Sequence, residues 1–352
     1  MNRLDSRAYV KSLYHLTDRA FDYRRPLSSG DWAGWQAEFR SRLRGLLGLS
    51  RMEETLADFP LSPRRAESRD FPGYTREKWY IASEPGIEIP FYLLLPKRAD
   101  AAAAAPLPLV LAPHGHTRRG KEVYAGNFEG EPADERHEDI ALQAVAQGYA
   151  AIAPDVRGFG EMAREEEAAA GKVSSCEELQ RRALMFGRTL IGERVWDIGR
   201  LLDFAAGRAG IDANRAVVTG NSGGGTASLF AAACDGRISI AVPGSYFCTY
   251  EASILGVHHC ICNVVPGLLS LGEMHDVAGL IAPRPLLLVN GAQDPIYPIA
   301  GARAAFGHLQ QIYASMGAPD RCELYVGEGG HRYYPERVWP FVRAFLDRNA
   351  QT

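Results

Sequence analysis

No apolar run in this 352-residue chain comes near the ~18 residues of a membrane-spanning helix, so no membrane partner is expected. Charge of one sign is not in excess either. The 39 Lys and Arg stand against 42 Asp and Glu, a formal net charge of −3. That balance excludes the basic field needed for nucleic acid, and an acidic tail as well. Cysteine is sparse: Cys176, Cys234, Cys248, Cys260, Cys262 and Cys322 are scattered, with no spacing that reads as a disulfide framework. The opening "MNRLDSRAYVKSLYHL" has no long apolar core, so a secretory signal is not expected. The thiols therefore read as mostly free, in a reducing, cytoplasmic setting. No internal repeat is visible. What remains is an ordinary globular balance, 46% hydrophobic and 23% charged. The length suits one large α/β domain with an appendage, or two small domains.

Residues 1–72 read as a helical extension. In "DWAGWQAEFRSRLRGLLGL", Trp32, Trp35, Phe39, Leu43, Leu46 and Leu47 fall on one face at helical spacing. Asp31 is a fitting N-cap and Gly48 a fitting stop. Such a stripe packs on the main domain, or else binds a partner.

From about residue 75 the period changes. "REKWYIAS" and "IEIPFYLLLP" read as strands around the turn "EPG". "PLPLVLAPHG", "YAAIAPDVRG", "RAVVTG", "ISIAVPG", "PLLLVNG" and "CELYVGEG" supply further strands, mostly unbroken apolar runs. Helical stretches lie between them, near 137–147, 192–208, 226–235, 298–316 and 335–349. The alanines at 101–105 read as a surface loop. Strand alternating with helix predicts an α/β fold, a mostly parallel central sheet with helices on both faces.

The densest signal is "VVTGNSGGGTASLF", where Ser222 sits among four glycines between a strand and a helix. A serine hydroxyl is a poor nucleophile unless it projects from a sharp turn beside a base and free N–H donors. Gly220 and Gly224 let such a turn close, so Gly220-Asn221-Ser222-Gly223-Gly224 fits a G-x-S-x-G nucleophile elbow. A phosphate loop is the rival, but neither its lysine nor the glycine spacing of a dinucleotide loop is present here. The elbow calls for an acid and then a histidine further along. Asp294 follows the strand "PLLLVNG" and His331 follows "CELYVGEG", both at the same sheet edge as Ser222. His331 would take the serine proton, and Asp294 would hold its tautomer. An oxyanion hole is expected from the backbone N–H groups of Gly223 and of His116, in the loop "APHGHTRRG" after the third strand read here. His114 is expected to orient that loop.

Two other groups invite a chemical reading. His258, His259, Cys260 and Cys262 in "GVHHCICNVVPG" suggest zinc, but no second ligand pair stands at a recognisable spacing, so no metal and no cofactor are expected. Arg157 and Arg188 could be pocket cations for an acidic substrate; a structural salt bridge is the preferred reading.

Through these motifs, residues 75–350 resemble the α/β-hydrolase superfamily, and within it the acetyl xylan esterase and dienelactone hydrolase branch of bacterial esterases. The carriers are "HGH", "DVRGFGE", "GERVWDI", "GNSGGG", "IAPRPLLLVNGAQD" and "GGH". The resemblance implies a hydrolase domain over 73–352, a cofactor-free serine carboxylesterase, and Ser222, Asp294 and His331 as its triad. It points to short acyl esters of a sugar or another small molecule. A lactone hydrolase, a prolyl-oligopeptidase-like peptidase and a binding protein on a hydrolase fold are the alternatives. The residues before 75 are too few for the β-propeller that such a peptidase carries. In place of a lid domain there are two insertions, about 161–185, read as a solvated helix pair, and about 244–275. A homo-oligomer is left open.

Overall fold

The computed structural model describes residues 5–98, 105–127 and 138–348. Nine strands form one sheet: β1 Arg64–Asp70, β2 Tyr74–Glu84, β3 Ile87–Pro96, β4 Leu107–Leu111, β5 Ala150–Pro154, β6 Ile211–Asn221, β7 Ile238–Gly244, β8 Leu286–Gly291 and β9 Cys322–Gly327. Their spatial order is β1-β2-β3-β5-β4-β6-β7-β8-β9. β1 to β3 pair antiparallel, as do β3 and β5, and the remaining pairs are parallel. Every residue of β4, β5 and β8 is buried, as expected of strands covered on both faces. From β4 the chain crosses to β5 on one side and later to β6 on the other. The crevice beyond the carboxyl ends of β4 and β6 is thus a switch point of the kind where α/β sheets bind ligands.

β1 corrects the reading of residues up to about 70 as helical. Its sequence "RRAESRD" is charged and almost wholly exposed, so no buried face left a period to read. The strand count shifts by one, and the "HGH" loop follows β4. The first insertion contains the helices Glu165–Ala169 and Cys176–Met185. The helix read at 137–147 spans Ile140–Ala146 and the last helix spans Pro335–Arg348. Residues 137 and 349, and the alanines at 101–104, lie outside the described residues.

The N-terminal helices are Ser6–Leu16, Arg24–Ser29, Trp32–Leu47 and Leu49–Leu56. The third starts at Asp31, whose carboxylate accepts from Gly34 N, and stops at Gly48, in the left-handed region at φ 86°. Its Trp35, Phe39, Leu43 and Leu47 are buried in the core that fills one face of the sheet. Trp32 and Leu46 pack against that core. A second core, with Tyr333, Val338 and Val342, fills the opposite face. Polar side chains of the same N-terminal helix reach further. Arg40 Nε donates to Ala233 O at 2.9 Å and Arg44 Nη1 to Cys234 O at 2.7 Å. Arg284 Nη2 donates to Ala232 O at 2.6 Å. Three guanidinium groups thus cap the last carbonyls of the helix Gly223–Cys234, where the helix dipole is negative.

Candidate active site

β6 ends at Asn221, and Ser222 follows at φ 57°, ψ −118° before the helix Gly223–Cys234. A non-glycine residue holds such a backbone only when its surroundings over-determine it. Here Ser222 N donates to Gly244 O at 2.9 Å, and Asn221 N donates to the Tyr124 hydroxyl at 2.9 Å. The helix packs so close to the end of β4 that a Cβ at Gly220 or Gly224 would run into Pro113 O. That close approach is what the glycines around Ser222 permit.

Asp294 and His331 lie beyond β8 and β9. His331 Nδ1 is 2.7 Å from Asp294 Oδ2. The other carboxylate oxygen, Oδ1, accepts from Ile296 N at 2.9 Å and Tyr297 N at 3.0 Å. The His331 ring stacks on Tyr297, with centroids 5.8 Å apart. With Nδ1–H donating to Asp294, Nε2 is left as the acceptor. Nε2 is buried and has no hydrogen-bond partner among the described residues. His331 and Ser222 line one cavity of about 380 Å³, together with His116, Glu138, His259 and Tyr297.

Gly223 and the loop that carries His116 both adjoin Ser222. Gly223 opens its helix, so its N–H has no intrahelical acceptor. The His116 ring packs over Gly223, where a Cβ would lie 2.8 Å from Nδ1. His114 is buried beneath this loop. Its Nε2 accepts from Val156 N at 2.9 Å and its Nδ1–H donates to Gly115 O at 2.7 Å. Burial pushes its pKa down to about 3, so it stays neutral and ties the loop after β4 to the loop after β5.

Arg157 and Arg188 do not line the cavity. Arg157 pairs with Glu84 at 2.6 Å and Asp197 at 2.7 Å, and Arg188 pairs with Glu84 at 2.9 Å. They are structural, as the salt-bridge reading expects. The cysteine segment differs from its sequence reading. His259 Nε2 lies 2.9 Å from Ser253 Oγ, and His258 lines the cavity. Cys260 and Cys262 instead meet Cys176 and His116, and one ligand atom from each of the four lies within 4.8 Å of the others. This is the second pair that spacing alone did not supply.

The chain matches the model of the Abhydrolase family over residues 2–325. It belongs to that family. YtaP of Bacillus subtilis (strain 168), described as a hydrolase, is 28% identical over 246 residues, 69% of this chain and 77% of its own. The 4-O-methyl-glucuronoyl methylesterase 1 of Wolfiporia cocos (strain MD-104) is 24% identical over 181 residues, 44% of each chain. Among solved structures, a Bacteroides fragilis NCTC 9343 protein described as an acetyl xylan esterase superposes with a TM-score of 0.72 at 23% identity. That match covers 92% of this chain and 83% of the other. The nine-strand sheet is accordingly an α/β-hydrolase sheet.

Several residues of this Abhydrolase site carry no sequence signal. Tyr124 props the elbow through Asn221 N. Glu138 accepts from Asn221 Nδ2 at 2.9 Å and puts a carboxylate on the cavity wall. Asn263 accepts from Thr226 Oγ1 at 3.1 Å, which fastens the second insertion to the helix after Ser222. Each acts through a contact between segments remote in sequence, with no motif around it.

Proposed function

We propose that the protein is a serine hydrolase of uncharged, short-chain carboxylic esters. Ser222 Oγ attacks the ester carbonyl as His331 Nε2 takes its proton, and Asp294 stabilises the imidazolium. The N–H groups of Gly223 and His116 hold the oxyanion as it forms. His331 then gives the proton to the departing alkoxide, leaving an acyl group on Ser222. Water, deprotonated by the same nitrogen, attacks that acyl group; its bond to Ser222 Oγ breaks, the acid leaves, and His331 returns the proton to Oγ. What carries this reading is the His331 imidazole: Nδ1 is held by Asp294, Nε2 has no partner among the described residues, and His331 lines the cavity that Ser222 shares.

The substrate class rests on the cavity wall. Among its described residues there is no Lys or Arg, and Glu138 is a carboxylate. A free carboxylate or phosphate on the substrate would meet no Lys or Arg among those described residues. The polar side chains of His116, Thr117, Glu138, Asn221 and Asn263 on that wall suit sugar-like esters, and the esterase descriptions of the relatives and structural neighbours point the same way. A fluorophosphonate probe tests the mechanism. It is expected to label Ser222 stoichiometrically in the wild type and not at all in Ser222→Ala. Equal labelling of both, or a labelled peptide elsewhere, would sink the reading.

A further inference from the structure

His116, Cys176, Cys260 and Cys262 come from three separate segments: the loop after β4, the start of the helix Cys176–Met185, and the second insertion. We infer that these four side chains bind one zinc ion in a closed, structural Cys3His site beside the candidate active site.

The donor set and its spacing carry the inference. In a tetrahedral zinc site, bonds of about 2.3 Å to sulfur set the sulfur atoms about 3.8 Å apart, and a sulfur and a nitrogen about 3.5 Å apart. Here all four ligand atoms lie within 4.8 Å of one another, and Cys262 Sγ is 3.3 Å from His116 Nε2. Closing round an ion asks for movements of about 1 Å or less. Three thiolates and one imidazole are soft and borderline donors, suited to zinc and unsuited to magnesium or calcium.

Charge supplies an independent observation. Arg194 is buried, with 3% of its surface exposed. Its Nη2 donates to Arg157 O at 2.8 Å and lies 3.3 Å from Cys176 Sγ. Among the described residues no carboxylate pairs with it. A buried guanidinium without an anion is costly. Three thiolates and a neutral imidazole around Zn²⁺ leave one net negative charge, which Arg194 would match while donating to a ligand sulfur.

All four positions are filled by protein, so the ion has no place for substrate and does not enter the ester chemistry. Its work is to tie both insertions to the loop that carries the His116 N–H. Removing it would loosen that donor and the adjoining cavity wall.

Elemental analysis of the full chain, purified without chelators and dialysed against metal-free buffer, tests the inference. About one zinc per chain is expected, with the affinity lowered at least about 10–100-fold in Cys262→Ser and Cys176→Ser. Those cysteines are buried, so a misfolded variant is covered by a second measurement on the wild type. Chelated protein titrated with Co²⁺ should develop the visible bands of tetrahedral cobalt and the near-ultraviolet charge transfer of thiolate ligation, both abolished by Zn²⁺. Trace zinc with no cobalt bands would overturn the inference. So would iron or copper in place of zinc, or an intact mass two hydrogens low from a disulfide. None of these readouts needs turnover, so a zinc-bound chain that cleaves no ester would leave this site standing and end the esterase reading.

Discussion

Ser222 is held at φ 57° by neighbours, not by its own hydroxyl. Ser222→Ala should therefore keep the far-UV spectrum and melting temperature of the wild type, while kcat/KM for an ester falls by about three or more orders of magnitude. Near-wild-type turnover in that variant would contradict the assigned nucleophile. Gly224→Ala works the other way. Its added methyl meets Pro113 O, so a destabilisation of about 1–3 kcal/mol is expected in chemical denaturation, with activity reduced alongside. A variant as stable and active as the wild type would show that the helix and the end of β4 can part freely. The tight turn at Ser222 and the meeting of Asp294 with His331 were legible, because glycine spacing and a position just past a strand end can be read directly from the chain. Tyr124, Glu138 and Cys176 were not. They serve the site only through contacts that folding creates, and a lone tyrosine or cysteine has no period to betray it.

Loops at one edge of the sheet gather everything of interest: the "HGH" loop after β4, the elbow after β6, and the Asp294 and His331 loops after β8 and β9. The inner strands were readable because full burial leaves unbroken apolar runs. β1 was not, since an exposed edge strand tolerates charge at nearly every position. The loop after β4 depends on a neutral His114, and a second histidine, His275, is likewise pushed down to about 3 by burial. Unfolded, both titrate near about 6.5, so below that pH the unfolded chain binds protons that the folded chain refuses. The stability they contribute is whole above about 6.5 and is lost as pH falls towards about 3. Melting temperature should drop on acidification across that window, and less steeply in His114→Gln. A variant with the same slope as the wild type would remove His114 from the account.

At the scale of the whole molecule, a cavity of about 380 Å³ limits what can bind. A long acyl groove would gain about 0.8 kcal/mol per methylene, or about fourfold in kcat/KM. Across p-nitrophenyl esters from acetate to laurate, kcat/KM is instead expected to fall with chain length, with no jump above the micelle concentration. A steady rise would call for a lipase-like groove built from the second insertion. No described helix is long and apolar enough to cross a membrane. The N-terminal helices bear on the site from the far side. Arg40 and Arg44 neutralise the negative end of the helix whose positive end lies at Ser222. Anyone trimming this chain to a minimal catalyst would be tempted to begin at residue 73, where the helical reading gives way to alternating strand and helix. Such a cut keeps Ser222, Asp294 and His331, yet it strips two of the three arginines from the helix behind Ser222 and uncovers the floor on which that helix rests. The boundary that the sequence pattern suggests and the boundary that a protein engineer can use are, in this molecule, about forty residues apart or more.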